Sequence, residues 1–241
     1  MKKLALVISI LILSSCGGGF QKTPVDQFIR DMSNEEAFSI ILFDMDEQGA
    51  IFKDYMHQYR IVKTNNGEVD ETTTEWIEVQ EDFFRKHVDH MGMEIAAKNK
   101  EGEISRTASP PGYSSYVGNS QYGQWVNRGG SSFWEFYGKY AFLSSMFNMM
   151  AFPVTRSYYN DYRRDYYGRR PYFGPSTSGS SRMYGTGSTY NKSTKPNTRW
   201  SSRRSSSFKD RVRKSVSRSD SRYGRSGGSS SYRSRSGGFG K

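Results

Sequence analysis

The chain has 241 residues, a formal net charge of +11 and a single cysteine. One cysteine excludes an intramolecular disulfide, so any folded part must be stabilised by a hydrophobic core. The sequence contains no P-loop, no dinucleotide-binding fingerprint and no G-x-S-x-G motif. These absences favour a protein that is not an enzyme and needs no cofactor.

The positive charge is concentrated in the C-terminal third of the chain. Residues 16–153 carry 12 Lys and Arg against 20 Asp and Glu, a net charge of −8, whereas residues 154–241 carry 21 against 4, a net charge of +17. Such an asymmetry is typical of an acidic folded body with a basic arm that contacts a partner.

The first 15 residues have the order of a secretory signal. Two lysines precede an apolar run over residues 4–13, and two serines follow it. A positive end, a short apolar stretch and small residues are the three parts of such a signal. The run is shorter than the roughly 20 residues that a membrane span needs. A short buried helix followed by a free thiol at Cys16 is the alternative interpretation.

The residues Leu13-Ser14-Ser15-Cys16 resemble the lipobox of bacterial prolipoproteins. The resemblance implies that residues 1–15 are a signal peptide and that a diacylglycerol group is attached to the Cys16 sulfur. It also implies a further acyl chain, such as palmitate, on the new amino terminus. Export from the cytoplasm and anchoring in the cell membrane or outer membrane would follow. Residues 16–23 would then be a tether of at most about 30 Å.

Residues 24–107 predict a small α+β domain with the order α-β-β-β-α-β and one further short strand. Apolar residues recur with helical spacing in residues 24–32 and 81–91. Strands are predicted for residues 37–43, 51–64, 73–79, 93–97 and 103–105. Asn65-Asn66-Gly67 predicts a tight hairpin, and residues 44–49 predict a polar turn.

Three histidines are the candidate ligands for a metal ion or a small molecule. His87 and His90 lie three residues apart on a predicted helix, and His57 lies on a predicted strand. Zinc needs three or four ligands, so the site would form only if this strand packs against that face of the helix. The other interpretation is that the three histidines are at the surface or half-buried and bind no ligand.

The next two segments differ in composition from the domain. Residues 108–132 are rich in Pro, Gly, Ser, Tyr and Asn and predict a linker. Residues 133–152 contain only two charges, Glu135 and Lys139, and predict an apolar helix rich in methionine and aromatic residues. Three placements of this helix stay open: packed on the domain, bound to a membrane surface or partner, or across the bilayer.

Residues 153–241 predict a disordered basic tail, because Ser, Arg, Gly and Tyr dominate and aliphatic residues are scarce. Its clustered basic residues are the candidate contacts to an anionic partner: Arg163, Arg164, Arg169, Arg170, Arg203, Arg204, Arg211, Arg213 and Lys214. Because the lipobox resemblance implies export, we expect lipopolysaccharide, anionic lipid or an acidic envelope protein, and no nucleic acid. A contact with the acidic body of the same chain is also physically reasonable.

The sequence therefore predicts a membrane-anchored, non-enzymatic envelope lipoprotein whose basic tail contacts an anionic envelope component. The alternative is a lipoprotein domain that binds a ligand or metal through His57, His87 and His90.

Overall fold

An antiparallel sheet forms the centre of the computed structural model, which describes residues 23–49, 52–175, 182–194 and 197–202. Its strands are β1 (Ala37–Gln48), β2 (Asp54–Asn65), β3 (Glu68–Thr73), β4 (Ile77–Val79), β5 (Glu94–Lys98) and β6 (Ile104–Ser105). The order is β3-β2-β1-β5-β6, and β4 pairs with the beginning of β2. The sequence predicted β1, β2, β5 and β6 approximately, but β1 continues to Gln48 and replaces the turn predicted for residues 44–49. The single strand predicted for residues 73–79 is also wrong: β3 ends at Thr73, and β4 begins only at Ile77.

The hairpin between β2 and β3 turns where the sequence predicted it. Asn66 and Gly67 both have positive φ, 49° and 72°. Two consecutive residues with positive φ match the twist of the adjoining strands, and Asn and Gly adopt this conformation at the lowest cost.

Two helices cover one face of the sheet. Helix α1 (Pro24–Asp31) begins with a capping box between Thr23 and Asp26, with proline in its first turn. Helix α2 (Glu81–His87) follows β4. Both helices lie over one core cluster: Val25, Ile29, Phe38, Ile40, Leu42, Met45, Tyr59, Phe84, Val88, Met91 and Ile95. Strand β1 also carries apolar side chains on the opposite face of the sheet. A second layer must therefore cover that face.

That second layer consists of residues that follow the sheet in sequence. It contains a hairpin of β7 (Gly123–Arg128) and β8 (Ser131–Phe136), helix α3 (Phe142–Met146), helix α4 (Arg156–Asp161) and a π-helical turn (Tyr162–Tyr166). Its buried tyrosines contact one another edge-to-face or tilted: Tyr113, Tyr116, Tyr122, Tyr140, Tyr162 and Tyr172. Such aromatic pairs stabilise by about 0.5–1.5 kcal/mol beyond the area that they bury.

The predictions for residues 108–152 are wrong. The supposed linker 108–132 contains buried residues and strand β7, and the supposed helix 133–152 is split between β8, a 3-10 turn at Gly138–Tyr140 and the five-residue helix α3. Trp134 and Phe136 are buried while Glu135 is exposed, which is the period of a strand. In the part of the chain that the structure describes, no helix is long and apolar enough to cross a membrane.

The prediction of a disordered tail from residue 153 is also wrong for the tail residues that the structure describes. Helix α5 (Thr189–Thr194) and helix α6 (Arg199–Ser202) belong to this region. Tyr172, Tyr184, Tyr190 and Trp200 are buried. Trp200 joins the core under the two helices, with its ring 6.5 Å from that of Phe84. The aromatic residues in the described part of this region thus bury enough apolar surface to pack that part against the body. The prediction of disorder for residues 176–181, 195–196 and 203–241 concerns residues outside the described part of the chain.

The carboxylate of Glu94 connects the sheet to the aromatic layer. Glu94 is 1% exposed and accepts hydrogen bonds from Ser39 Oγ at 2.5 Å, Ser109 Oγ at 3.1 Å and Ser115 Oγ at 3.4 Å. It also accepts the backbone N–H groups of Gly112 and Ser114, each at 3.1 Å. Burial raises the pKa of this carboxyl, and the hydrogen bonds oppose that rise.

Candidate functional site

The three histidines lie in one buried region: His57 is on β2, His87 ends helix α2, and His90 follows that helix. His57 on β2 contacts the rings of Phe83 and Phe84, at 5.7 and 5.2 Å between centroids. His87 contacts Phe83 at 4.6 Å and His90 at 5.3 Å. The strand therefore packs on the helix as the metal hypothesis required, but phenylalanine rings fill much of the space around the imidazoles.

Burial keeps these imidazoles neutral. Desolvation lowers the pKa of His57 to about 3 and that of His90 to about 4, and it lowers the pKa of His87 well below its ordinary value. His57 Nδ1 lies 3.0 Å from the Tyr59 hydroxyl, and its Nε2 is buried with no hydrogen-bond partner in the described residues.

The Nδ1 atoms of His87 and His90 lie 3.1 Å apart, so one must donate and the other accept. Within residues 23–49, 52–175, 182–194 and 197–202, no group of three or more His, Cys, Asp or Glu is arranged to hold a metal ion.

Four of the predicted anion-contact residues lie on an exposed turn that includes the π-helical segment. The side chain of Arg163 lies over the Tyr167 ring at 4.0 Å, and that of Arg170 lies over the Tyr166 ring at 4.3 Å. Arg169 donates to the backbone carbonyl of Arg164 at 3.0 Å. We refer to Arg163, Arg169, Arg170, Tyr166 and Tyr167 as the arginine–tyrosine surface.

Buried tyrosines hold this turn in place. Tyr162 is 1% exposed and its hydroxyl lies 2.7 Å from Ser114 Oγ, next to the Glu94 carboxylate. Tyr172 is also buried, and its ring lies 4.7 Å from that of Tyr166. The anchored tyrosines leave the intervening arginines at the surface.

Nearby carboxylates compensate part of the positive charge of this surface. Arg164 pairs with Asp161 and Asp165, at 2.9 Å in each case. Arg163, Arg169 and Arg170, by contrast, form no ion pair within 4.0 Å among the described residues. Two carboxylates still lie nearby: Arg169 and Arg170 help to lower the pKa of Asp165, and the Tyr167 hydroxyl donates to Glu103 at 3.2 Å. A guanidinium stacked on a ring keeps its in-plane N–H groups available for bidentate contacts to phosphate or carboxylate.

The sequence showed that this stretch is rich in both arginine and tyrosine, but only its basic residues were predicted as contact residues. Arg163 and Tyr167 are four residues apart, as are Tyr166 and Arg170. On a helical turn this spacing places two side chains next to each other. The spacing is therefore a signal that could have identified the pairs.

Another arginine of the basic region contacts the acidic body. The backbone N–H groups of Arg199 and Trp200 donate to the Asp44 carboxylate, at 2.7 and 3.3 Å. The Arg199 guanidinium lies 3.7 Å from Asp46 Oδ2. Asp44 and Asp46 lie on the same strand, β1, so a contact between the basic region and the acidic body is present.

The remaining predicted site residues lie outside the described part of the chain: Cys16, Arg203, Arg204, Arg211, Arg213 and Lys214. Comparisons with protein-family models, with curated proteins and with solved structures found no match to this chain.

Proposed function

We propose that this chain is a non-enzymatic envelope lipoprotein, anchored through acylated Cys16, whose arginine–tyrosine surface binds the anionic headgroups of a lipid layer. The lipid is lipopolysaccharide or an anionic phospholipid. The observation that carries the proposal is the group of three exposed arginines, Arg163, Arg169 and Arg170, which have no carboxylate partner among the described residues.

The chemistry of this surface suits a headgroup layer. Each basic residue near an anionic membrane contributes about 1 kcal/mol of binding free energy. Tyrosine rings are common at the level of lipid headgroups because the ring is apolar and its hydroxyl is polar. Arg203, Arg204, Arg211, Arg213 and Lys214 would add to this attraction, since they follow in the same basic region.

Anchoring at Cys16 would keep the surface near its ligand. The seven residues between Cys16 and Pro24 span at most about 30 Å when fully extended. A body held at that distance meets headgroups at a high effective concentration, so weak contacts suffice for occupancy.

Co-sedimentation with vesicles tests the proposal. The chain of residues 17–241, which lacks the acyl anchor and keeps every described residue, is mixed with vesicles of phosphatidylglycerol, phosphatidylcholine, or phosphatidylcholine with lipopolysaccharide. We expect binding to the two anionic preparations at low salt. We expect its loss at about 0.5 M salt, where charges are screened within a few ångströms.

A charge-matched pair of variants separates a specific surface from net charge. The triple variant Arg163→Gln/Arg169→Gln/Arg170→Gln should weaken binding by about 100-fold, the equivalent of about 3 kcal/mol. Its control removes three other exposed or half-exposed arginines, Arg30, Arg85 and Arg128, and should have a much smaller effect. Equal losses in the two triple variants, or no binding of the unaltered chain at low salt, would contradict the proposal.

A further inference from the structure

A cavity of about 640 Å³ opens beside β1 and β2, away from the residues discussed so far as ligands of lipid or metal. Its walls come from the sheet, from the turn after α3 and from the segment around α5 and Arg199. Sites for small molecules have volumes of about 300–1,000 Å³. The cavity shares no residue with the arginine–tyrosine surface or with the three histidines.

Two backbone irregularities lie at the cavity. The register of β1 against β2 shifts between Leu42 and Asp44, so Phe43 is an extra residue in the strand, and it lines the cavity. Asn148, on the opposite wall, has φ of +52°. Bulges and non-glycine residues with positive φ are both frequent at binding sites, where they direct side chains at a ligand.

Two arginines line the cavity, and each is stacked on an aromatic ring. The Arg60 guanidinium lies 4.7 Å from the centre of the Phe43 ring, and that of Arg199 lies 4.6 Å from the centre of the Trp76 ring. These contacts place the two guanidinium groups on different walls of the cavity.

Carboxylates compensate the charge of both arginines. Arg60 Nε lies 2.8 Å from Glu71 Oε1, but its N–H does not point at the oxygen, so the contact is an ion pair without a hydrogen bond. Arg199 lies 3.7 Å from Asp46. The cavity therefore offers fixed donors without a net positive charge, which disfavours a bare anion as its ligand.

Neutral polar groups complete the lining. Gln58 donates from Nε2 to the carbonyl of Thr74 at 2.9 Å, and its Oε1 accepts no hydrogen bond from the described residues. Ser193 and Thr194 donate to the carbonyl of Tyr190, at 3.0 and 2.7 Å, which leaves their oxygens able to accept. Donors and acceptors thus occur together around planar aromatic and guanidinium surfaces.

We propose that this cavity binds a saccharide. A sugar ring carries apolar C–H faces that pack on aromatic planes, and hydroxyl groups that donate and accept at its edge. These properties match the stacked Trp76 and Phe43 and the surrounding amide, hydroxyl and guanidinium groups. A purely apolar ligand would leave Arg60 Nε, which is buried and makes no hydrogen bond among the described residues, without a partner, at a cost of about 1–3 kcal/mol.

Calorimetric titration of the full chain, kept in a detergent without a sugar headgroup such as lauryldimethylamine oxide, tests this proposal. The probes are N-acetylglucosamine and glucuronate, with inorganic phosphate as the anion without a ring. We expect saturable binding of at least one of the two sugars and none of phosphate. The preferred sugar tells whether the ring carries a carboxylate.

Variants locate the binding. Trp76→Ala should weaken sugar binding about tenfold, which corresponds to about 1.4 kcal/mol. Ser145→Trp fills the cavity from its rim without removing a contact, and should abolish binding. Arg128→Gln, an exposed arginine with one carboxylate partner, is the control and should bind normally.

Circular dichroism of each variant shows whether the fold is intact, and Ser145→Trp keeps the test valid if Trp76→Ala does not fold. The proposal is overturned if no sugar binds at about 10 mM, well above a millimolar dissociation constant. It is also overturned if phosphate binds as tightly as the sugar, or if the folded Ser145→Trp variant still binds sugar. Vesicle binding by the same variants should be unchanged, so failure here leaves the proposed lipid contact separately testable.

Discussion

Replacement of Glu94 by glutamine tests how the sheet and the aromatic layer are joined. One carboxylate oxygen faces the backbone N–H of Gly112, and the other faces the backbone N–H of Ser114. Glutamine keeps the shape of glutamate but has only one accepting oxygen. Whichever way the amide turns, its NH2 group must face one of these two N–H groups.

The expected loss of stability follows from this one backbone N–H group that lacks an acceptor. The serine hydroxyls around Glu94 can rotate to accept from the new NH2 group, whereas the backbone N–H cannot become an acceptor. One buried N–H without a partner costs about 1–3 kcal/mol. We therefore expect Glu94→Gln to lower the free energy of unfolding by that amount.

Urea denaturation at pH 7, followed by tryptophan fluorescence, measures the effect on the chain of residues 17–241. Glu135→Gln, on the exposed part of strand β8, is the matched control and should change the free energy of unfolding by less than about 0.5 kcal/mol. An unfolding free energy for Glu94→Gln that equals or exceeds that of the unaltered chain would refute the hydrogen-bond argument.

Three other predictions concern His57, helix α6 and the anchor. Burial lowers the pKa of His57 to about 3, so between pH 6.5 and 4 the unfolded chain binds one more proton at this position than the folded chain. The free energy of unfolding therefore falls as the pH drops through this range. His57→Leu should reduce this pH dependence by about 1.4 kcal/mol per pH unit, as measured by urea titrations at several pH values, and an unchanged dependence would contradict the burial of His57. Asp44→Ala removes the acceptor for the N–H groups of Arg199 and Trp200, which costs about 1–2 kcal/mol, and should speed tryptic cleavage after Arg199 by about 5–30-fold by mass spectrometry. Cleavage after Arg128 is its internal control. Cys16→Ser should abolish incorporation of labelled palmitate in bacterial cells, and labelling that persists would exclude Cys16 as the acylated residue.

The sheet could be predicted from the sequence because its signals are local. The apolar run that begins at Ala37 and the turn residues Asn66 and Gly67 each determine a conformation over a few residues, whatever lies elsewhere. The end of β1 could not be predicted in this way. Asp44 and Asp46 have a low strand propensity, and they stay in the strand because β2 and the docked residues Arg199 and Trp200 provide partners.

The candidate site was only partly predictable. Arg163, Arg169 and Arg170 were recognised by composition, and the structure places them on one exposed turn. The sequence alone could not show that Arg164 is neutralised by Asp161 and Asp165 while its neighbours are not. Ion pairing depends on distances of a few ångströms, which are decided by the anchored π-helical turn.

The sequence by itself determined the charge split between the two parts of the chain, the mixed α and β content of the body and the hairpin turn at Asn66 and Gly67. It also contains the lipobox-like residues that end at Cys16, on which the expectation of a membrane anchor still rests. Only the tertiary structure decided what happens to the tyrosine-rich residues after position 107. Their aliphatic content is too low to predict order, but a second apolar face on β1 gives their rings a surface to cover. The aromatic rings stabilise the fold through contacts with a strand that is far away in sequence, so no local pattern of residues predicts their burial.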